Sequence, residues 1–337
     1  MDCTLFIPHL LPPRELAEAL WRMVDAPQLK SMLARAAMTT DAGGDAESWL
    51  CNRFGIARQQ DWPLAPLLAA HEGLSAHGGY WLCATPVHLA TRRNALVLAD
   101  PALLEITAEA SAALVLTLAD HLRDENMTLH APRPGVWFLR CDAAPVMSTT
   151  SLATATGRDV RSFLPQGKDG ARWHRTLTEM QMLLHAHPMN DARESRGLLP
   201  VNSVWLWGGG TLPAPSPKAF DAAWSDDATV RALAHHGGCR IERRPERVIT
   251  ATLGGAAHFL SCETLEPLMR RGDMQSWSRA VTAINRDWFT PLAAALKSGA
   301  LSALTLISTN DAGTQQFVIR RNDSLKFWHK NKYLHSI

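Results

Sequence analysis

Apolar positions along the chain fall into short continuous runs separated by stretches of helical spacing. TLFIP near the start is a β-like run that stops at Pro8, and after Pro12-Pro13 the residues Leu16, Leu20 and Val24 recur with helical period. Helical patterning continues to about residue 70; GYWLCATPVHL and ALVLAD then read as strands, and 108–122 as a long helix. MTLHAPRPGVWFLRC has the form of two strands about a Pro-Gly turn, and the Ser/Thr-rich stretch 148–156 reads as a mobile connector. A helix over 169–187 precedes the apolar strand VNSVWLW and a Gly208-Gly209-Gly210 turn. Helix at 226–236, strand at 248–252 and helix at 274–296 follow, and LSALTLIS with TQQFVIRR predicts a closing antiparallel hairpin. Elements that alternate at both ends of an irregular middle predict an α/β fold, a layered sheet flanked by helices. The expected division is an N-terminal half, 1–147, and a C-terminal half, 148–337, packed as one unit. No internal repeat is visible.

Composition narrows the function classes more than the fold. With 337 residues and 46% hydrophobic positions, the chain can bury a large core. A net charge of +2, without a basic block, argues against nucleic acid as a partner. The six cysteines are scattered and form no CxxC pair, so reduced buried thiols are expected instead of a zinc knuckle. Asp2 and Pro8 interrupt what a signal peptide would need, and no run is long enough to span a membrane; the expectation is cytoplasmic.

Candidate chemistry concentrates in 173–213. On the helix, Trp173, Leu177, Met180, Leu184 and His187 form a core-facing stripe. Beside it run His174, Thr178, Gln181 and His185, either a solvated face or the lining of a cleft. His174 and His185 lie about 16 Å apart along the helix, so the helix alone cannot chelate a metal. Asn202 is the one amide inside an apolar strand and needs partners, from a neighbouring loop or from a ligand. The three glycines permit close backbone approach, and their N–H groups either make a tight turn or cradle an anion. Arg193 and Arg196 offer charge to such an anion, or pair with Asp191 and Glu194. Neither a phosphate-binding Lys-Ser/Thr nor a dinucleotide fingerprint follows the glycines. Trp205 and Trp207 are core residues or flat walls of a site.

The words ATPVHL (84–89), LATATGR (152–158), QMLLHAHPMNDARESRG (181–197) and LPVNSVWLWGGGTLP (199–213) resemble RpfE-type proteobacterial proteins, which are described as regulatory or phosphoglycerate-mutase-like. The last word is also similar to a segment of the archaeal-type, cofactor-independent phosphoglycerate mutases of the alkaline phosphatase superfamily. The resemblance implies an alkaline-phosphatase-like or phosphoglycerate-mutase-like core. In that superfamily the first strand delivers an Asp to a two-metal site, whereas FIPHLLPP has none after Phe6, and STNDAG offers Asp311 without a neighbouring His. Two-metal phosphoryl transfer needs a dense set of such ligands. The expectation is therefore a protein that has lost metal-dependent catalysis, holds no metal or cofactor, and binds a small anionic ligand or a protein partner in a regulatory role. Asn190, Arg193, Asn202, Gly208, Gly209, Gly210 and His185 would form the ligand site. The rival is an active phosphomutase or phosphatase taking Mn or Zn on His9, His88, Asp100 and Asp311; a third reading is a pure interaction module with a Trp-rich surface.

Overall fold

The computed structural model describes residues 1–41, 45–249, 255–321 and 323. The chain opens with β1 (Asp2–Phe6), α1 (Arg14–Met23), α2 (Pro27–Arg35), β2 (Ala37–Asp41) and α3 (Ala46–Arg53). Its middle holds α4 (Leu64–His71), β3 (Tyr80–Val87), β4 (Leu89–Arg92), β5 (Ala95–Leu98), α5 (Ala108–Arg123), β6 (Met127–Arg133), β7 (Val136–Cys141), α6 (Leu152–Ala155), α7 (Gly170–His185), α8 (Pro188–Glu194) and β8 (Ser203–Gly210). The last part adds β9 (Ala222–Trp224), α9 (Ala228–His236), β10 (Arg240–Glu242), β11 (Ala257–Ser261), α10 (Leu265–Arg270), α11 (Met274–Ile284), α12 (Thr290–Ser298), β12 (Ala303–Asn310) and β13 (Gly313–Arg320).

Two compact units result, and they do not coincide with halves cut at 147/148: one is 1–55 joined with 215–337, the other is the continuous 56–214. The first unit is an α/β layer structure. Its sheet runs β10-β9-β11-β1-β12-β13-β2, parallel through β12 and antiparallel for the last two strands. On β1, Cys3 and Leu5 face a core built with Leu20 and Trp21 of α1, Leu29 of α2, Trp277 and Val281 of α11 and Leu292 of α12. Phe6 points to the opposite face, where it stacks on Trp49 of α3 at 5.4 Å and meets Phe259 at 6.2 Å. This two-sided burial explains why β1 reads as a continuous apolar run. A π-turn, Asn285–Phe289, joins α11 to α12, so the expected helix 274–296 is one interrupted helical run. The Asn285 Oδ1 exposed inward there accepts the Leu29 amide at 2.9 Å.

The second unit carries a four-stranded antiparallel sheet, β6-β7-β3-β8, and the β4-β5 ribbon. Thr107 caps α5 by accepting the Ala110 amide at 3.2 Å, and α5 buries Leu114, Leu118 and Leu122 against the sheet together with Trp173, Leu177, Met180 and Leu184 of α7. Three expectations change. Gly208–Gly210 are the end of strand β8 and not a turn. The 148–156 connector contains α6 and is anchored at Thr149. Of the expected strand 248–252, residues 250–252 lie outside the described residues; the strand of that region is β11. All six cysteines are free and buried. Among the described residues, no helix is long and apolar enough to cross a membrane.

Candidate functional site

In the second unit, the residues expected to hold an anion have other partners. A Cβ on Gly209 would lie 2.4 Å from Tyr80 Oη and 2.9 Å from Leu82 Cδ2, and one on Gly210 would lie 2.5 Å from Pro63 Cβ. The absent side chains make room for neighbouring side chains. Asp61, buried, takes the place an anion would have: its carboxylate accepts the Gly209 amide, the Thr149 amide at 3.0 Å and the Thr149 hydroxyl at 2.6 Å. Burial is the main cause of its raised pKa. Asn190 donates to Leu184 O at 2.7 Å and Val201 O at 2.9 Å, and accepts the Val201 amide at 2.8 Å. Arg193, 3% exposed, donates to the carbonyls of Leu199 and Leu104. Asn202 grips Leu89 through both its amide and its carbonyl, at 2.7 and 3.0 Å.

The polar stripe of α7 is tied down in the same way. His174 Nε2 lies 2.8 Å from Pro165 O, Thr178 donates to His174 O at 2.8 Å, and Gln181 donates to Ser203 Oγ at 3.0 Å. His185 is exposed at the helix end, and His187 caps α8 instead of extending the core stripe. Glu179 pairs with Arg175 at 3.7 Å and with His121 at 3.2 Å. Trp205 and Trp207 donate to Thr150 O and Thr85 Oγ1, both at 2.9 Å. His88 meets Pro200 O at 2.9 Å, and Asp100 accepts the Ala102 amide at 3.0 Å. The words that stand out in the sequence therefore hold loops to strands by side-chain to backbone bonds, the ordinary fate of buried polar groups.

A denser cluster lies in the first unit, where the parallel strands β9, β11, β1 and β12 end on one edge of the sheet. Open α/β sheets bind ligands at this carboxyl edge. His9, three residues past β1, adopts φ +56°, its amide donating to Thr309 O at 2.8 Å and its carbonyl accepting Trp277 Nε1 at 2.9 Å. Burial lowers its pKa, and it lies in the fields of Glu266, Arg270 and Asp311. Arg270 and Glu266 pair at 2.6 Å along α10. After β9 come Ser225, whose hydroxyl is 2.6 Å from that of Ser261, and Asp227, which caps α9 by accepting the Val230 amide at 2.9 Å. Glu263 follows β11; burial, then the nearby Asp227, push its carboxyl up to about 7, and its Oε1 has no hydrogen-bond partner. Arg244 lies 3.4 Å from Asp226 and 3.9 Å from Cys262 Sγ. Asn310, at the end of β12, is spent on Leu11 O at 3.0 Å and the Ala312 amide at 2.9 Å.

Sequence reading singled out only His9 and Asp311 from this edge. A weak signal for Asp227 was present, an Asp directly ahead of the helical ATVRALA. Glu263, Glu266 and Arg270 carry none, because only the parallel register of β9, β11 and β1 brings them together.

The raised Glu263 pKa has a measurable consequence. A carboxyl whose folded pKa exceeds its unfolded value stabilises the fold while protonated, so stability falls as pH rises from about 4.5 to about 7. Asp227 shifts in the same direction, again chiefly through burial. Thermal unfolding across that range is expected to show the decline in the wild type and a flatter profile in Glu263→Gln; parallel profiles would contradict it.

Among the described residues no three His, Cys, Asp or Glu side chains converge so as to hold a metal ion.

No protein-family model matches the chain. Among curated proteins, a 2,3-bisphosphoglycerate-independent phosphoglycerate mutase of Methanosarcina mazei is 29% identical over 156 residues, 44% of this chain and 37% of that one. Its Methanosarcina barkeri counterpart is 27% identical over 117 residues, 33% and 29% of the two chains, and that of Methanothrix thermoacetophila 41% identical over 64 residues, 19% and 16%. The chain spans about a third of the length of the first two relatives. Among solved structures, a Pyrococcus horikoshii protein superposes with TM-score 0.58 at 15% identity, covering 95% of this chain and 87% of that one. The cofactor-independent phosphoglycerate mutase of Thermoplasma acidophilum gives 0.52 at 13% identity, covering 99% and 94%. The chain is thus distantly similar in sequence to the cofactor-independent phosphoglycerate mutases and has a fold like theirs.

Proposed function

We propose that this chain is a phosphoglycerate-mutase-like protein that has given up metal-dependent phosphoryl transfer and works by binding, in a regulatory role of the RpfE type, without a metal or cofactor and in the cytoplasm. The observation that carries the proposal is the Arg270–Glu266 pair beside His9 at the carboxyl edge of the parallel sheet. A guanidinium does not lose its charge at any physiological pH, so a divalent cation seated there would meet like charge. His9 follows the strand that in the superfamily delivers an Asp, and Asn310 is spent on backbone groups. What the edge offers instead is hydrogen bonding from Ser225, Ser261 and a protonatable Glu263.

The glycine strand is withdrawn from the proposed ligand site, because Asp61 already engages the Gly209 amide and Arg193 is spent on carbonyls. A small acidic ligand or a partner would be met elsewhere on the molecule.

Purified protein is expected to show no phosphoglycerate mutase or phosphatase turnover with Mn²⁺, Zn²⁺ or Mg²⁺, and no thermal stabilisation that requires metal and phosphoglycerate together. A true ligand at a hundred times its dissociation constant stabilises by about 2.7 kcal/mol, which a melting curve resolves. Stoichiometric bound metal with turnover would overturn the proposal in favour of an active phosphomutase.

A further inference from the structure

The first unit has a second polar place, away from the carboxyl edge, on the sheet face that carries α3. There Trp49 of α3 and Phe54 just past its end cover Phe6 and Phe259 but leave part of β1, β12 and β13 open. Thr4, Thr305 and Gln316 on these strands, with Trp49, Asn52 and Arg53 of α3, line a cavity of about 410 Å³, within the usual size of small-molecule sites. The register supports one continuous surface: Thr4 pairs with Thr305 across β1 and β12, and Ile307 with Gln316 across β12 and β13.

Two features set this cavity apart from a packing defect. Thr4 is 7% exposed, yet its hydroxyl makes no hydrogen bond within the described residues, and neither do the side chains of Thr305, Gln316 and Asn52. These groups, buried at Thr4, half-buried at Thr305 and Gln316 and exposed at Asn52, are spent on no partner within the described residues, so the donors and acceptors that face the cavity are available to a polar occupant. Arg53 stacks over Phe220 at 4.5 Å and has no carboxylate partner within the described residues, although arginines elsewhere in this unit, such as Arg270 and Arg286, are paired. A guanidinium held over an aromatic ring at one end of the cavity is placed to receive an anion, in the charge-assisted geometry that arginine gives to carboxylate or phosphate.

We propose that this cavity binds a small hydroxylated anion, a polyol phosphate or sugar acid, with its acidic group on Arg53 and its hydroxyls on Thr4, Thr305 and Gln316. Trp49 closes one side as a flat wall. The site stands apart from the fate of the carboxyl edge: it needs no metal and shares none of the edge residues.

The test separates the two halves of the ligand. Isothermal titration of the full chain with glycerol 3-phosphate and with glycerate is compared with inorganic phosphate and with glycerol. At least one hydroxylated anion is expected to bind about tenfold or more tightly than either phosphate or glycerol alone. Arg53→Gln, at an exposed position, is expected to weaken that binding by about tenfold, and Gln316→Leu by several-fold, with the melting temperature of each variant confirming a folded chain. Absence of heat with both hydroxylated anions at millimolar concentration overturns the proposal. So does equal affinity for phosphate alone, or affinity unchanged in both variants.

Discussion

Gly209→Val is expected to destabilise the 56–214 unit by about 3 kcal/mol or more, the upper end of overpacking costs, because the new Cβ alone falls 2.4 Å from Tyr80 Oη and 2.9 Å from Leu82 Cδ2. Both neighbours lie on β3, the central partner of β8, and neither can retreat without disturbing the sheet. The backbone conformation of Gly209 is not the obstacle, since its φ is not among the positive ones. Gly197 supplies the contrast, with φ +74° and open space around it: alanine there should cost about 1 kcal/mol through backbone strain alone. Urea unfolding of the two variants separates steric from conformational cost. A Gly209→Val protein with wild-type midpoint and slope would mean that the close contact with Tyr80 does not exist.

Asn190→Leu is the second large effect. The replacement keeps the volume but strands the Val201 amide and the carbonyls of Leu184 and Val201, each bonded to Asn190 at 2.7 to 2.9 Å. An orphaned buried group costs about 1 to 3 kcal/mol, so a loss of about 3 kcal/mol or more is expected. Asn190 ties the end of α7 to the strand entering β8, so hydrogen exchange should report the loss first at Leu184 and Val201. A loss below about 1 kcal/mol would show that water replaces the amide.

The elements that sequence pattern exposed are those whose neighbours are local. The 108–122 and 169–187 helices appear as α5 and α7 because their apolar stripes are complete in themselves, and the hairpins β6-β7 and β12-β13 because a turn sits between alternating runs. The three-residue strands β9 and β10 are too short to show a period, and β2, nearly all exposed, has no apolar face to betray it. For the site the limit was different. Asn202 stands out in sequence as an amide inside an apolar strand, and Asn190 and Arg193 as polar residues of the loop before it, but sequence does not reveal whether such a residue faces a ligand or a carbonyl. Gly209 likewise marked a close approach without saying that Tyr80 and Asp61 were the partners. Thr4 and Arg53 stand nearly a whole chain length from Gln316 and line one cavity with it only because β12 joins β1 to β13.

That placement of β1 also sets the order in which the protein can be made. Both hydrogen-bonded edges of the strand Asp2–Phe6 wait for partners, Ala257–Ser261 and Ala303–Asn310, that leave the ribosome roughly 250 to 300 residues later, about 15 to 60 seconds at ordinary rates of synthesis. Meanwhile the continuous 56–214 unit has every strand it needs. The nascent chain is thus expected to carry a folded middle and an unsatisfied apolar N-terminus for much of its synthesis, the kind of segment that chaperones shield, and a non-local sheet of this kind is slow to close.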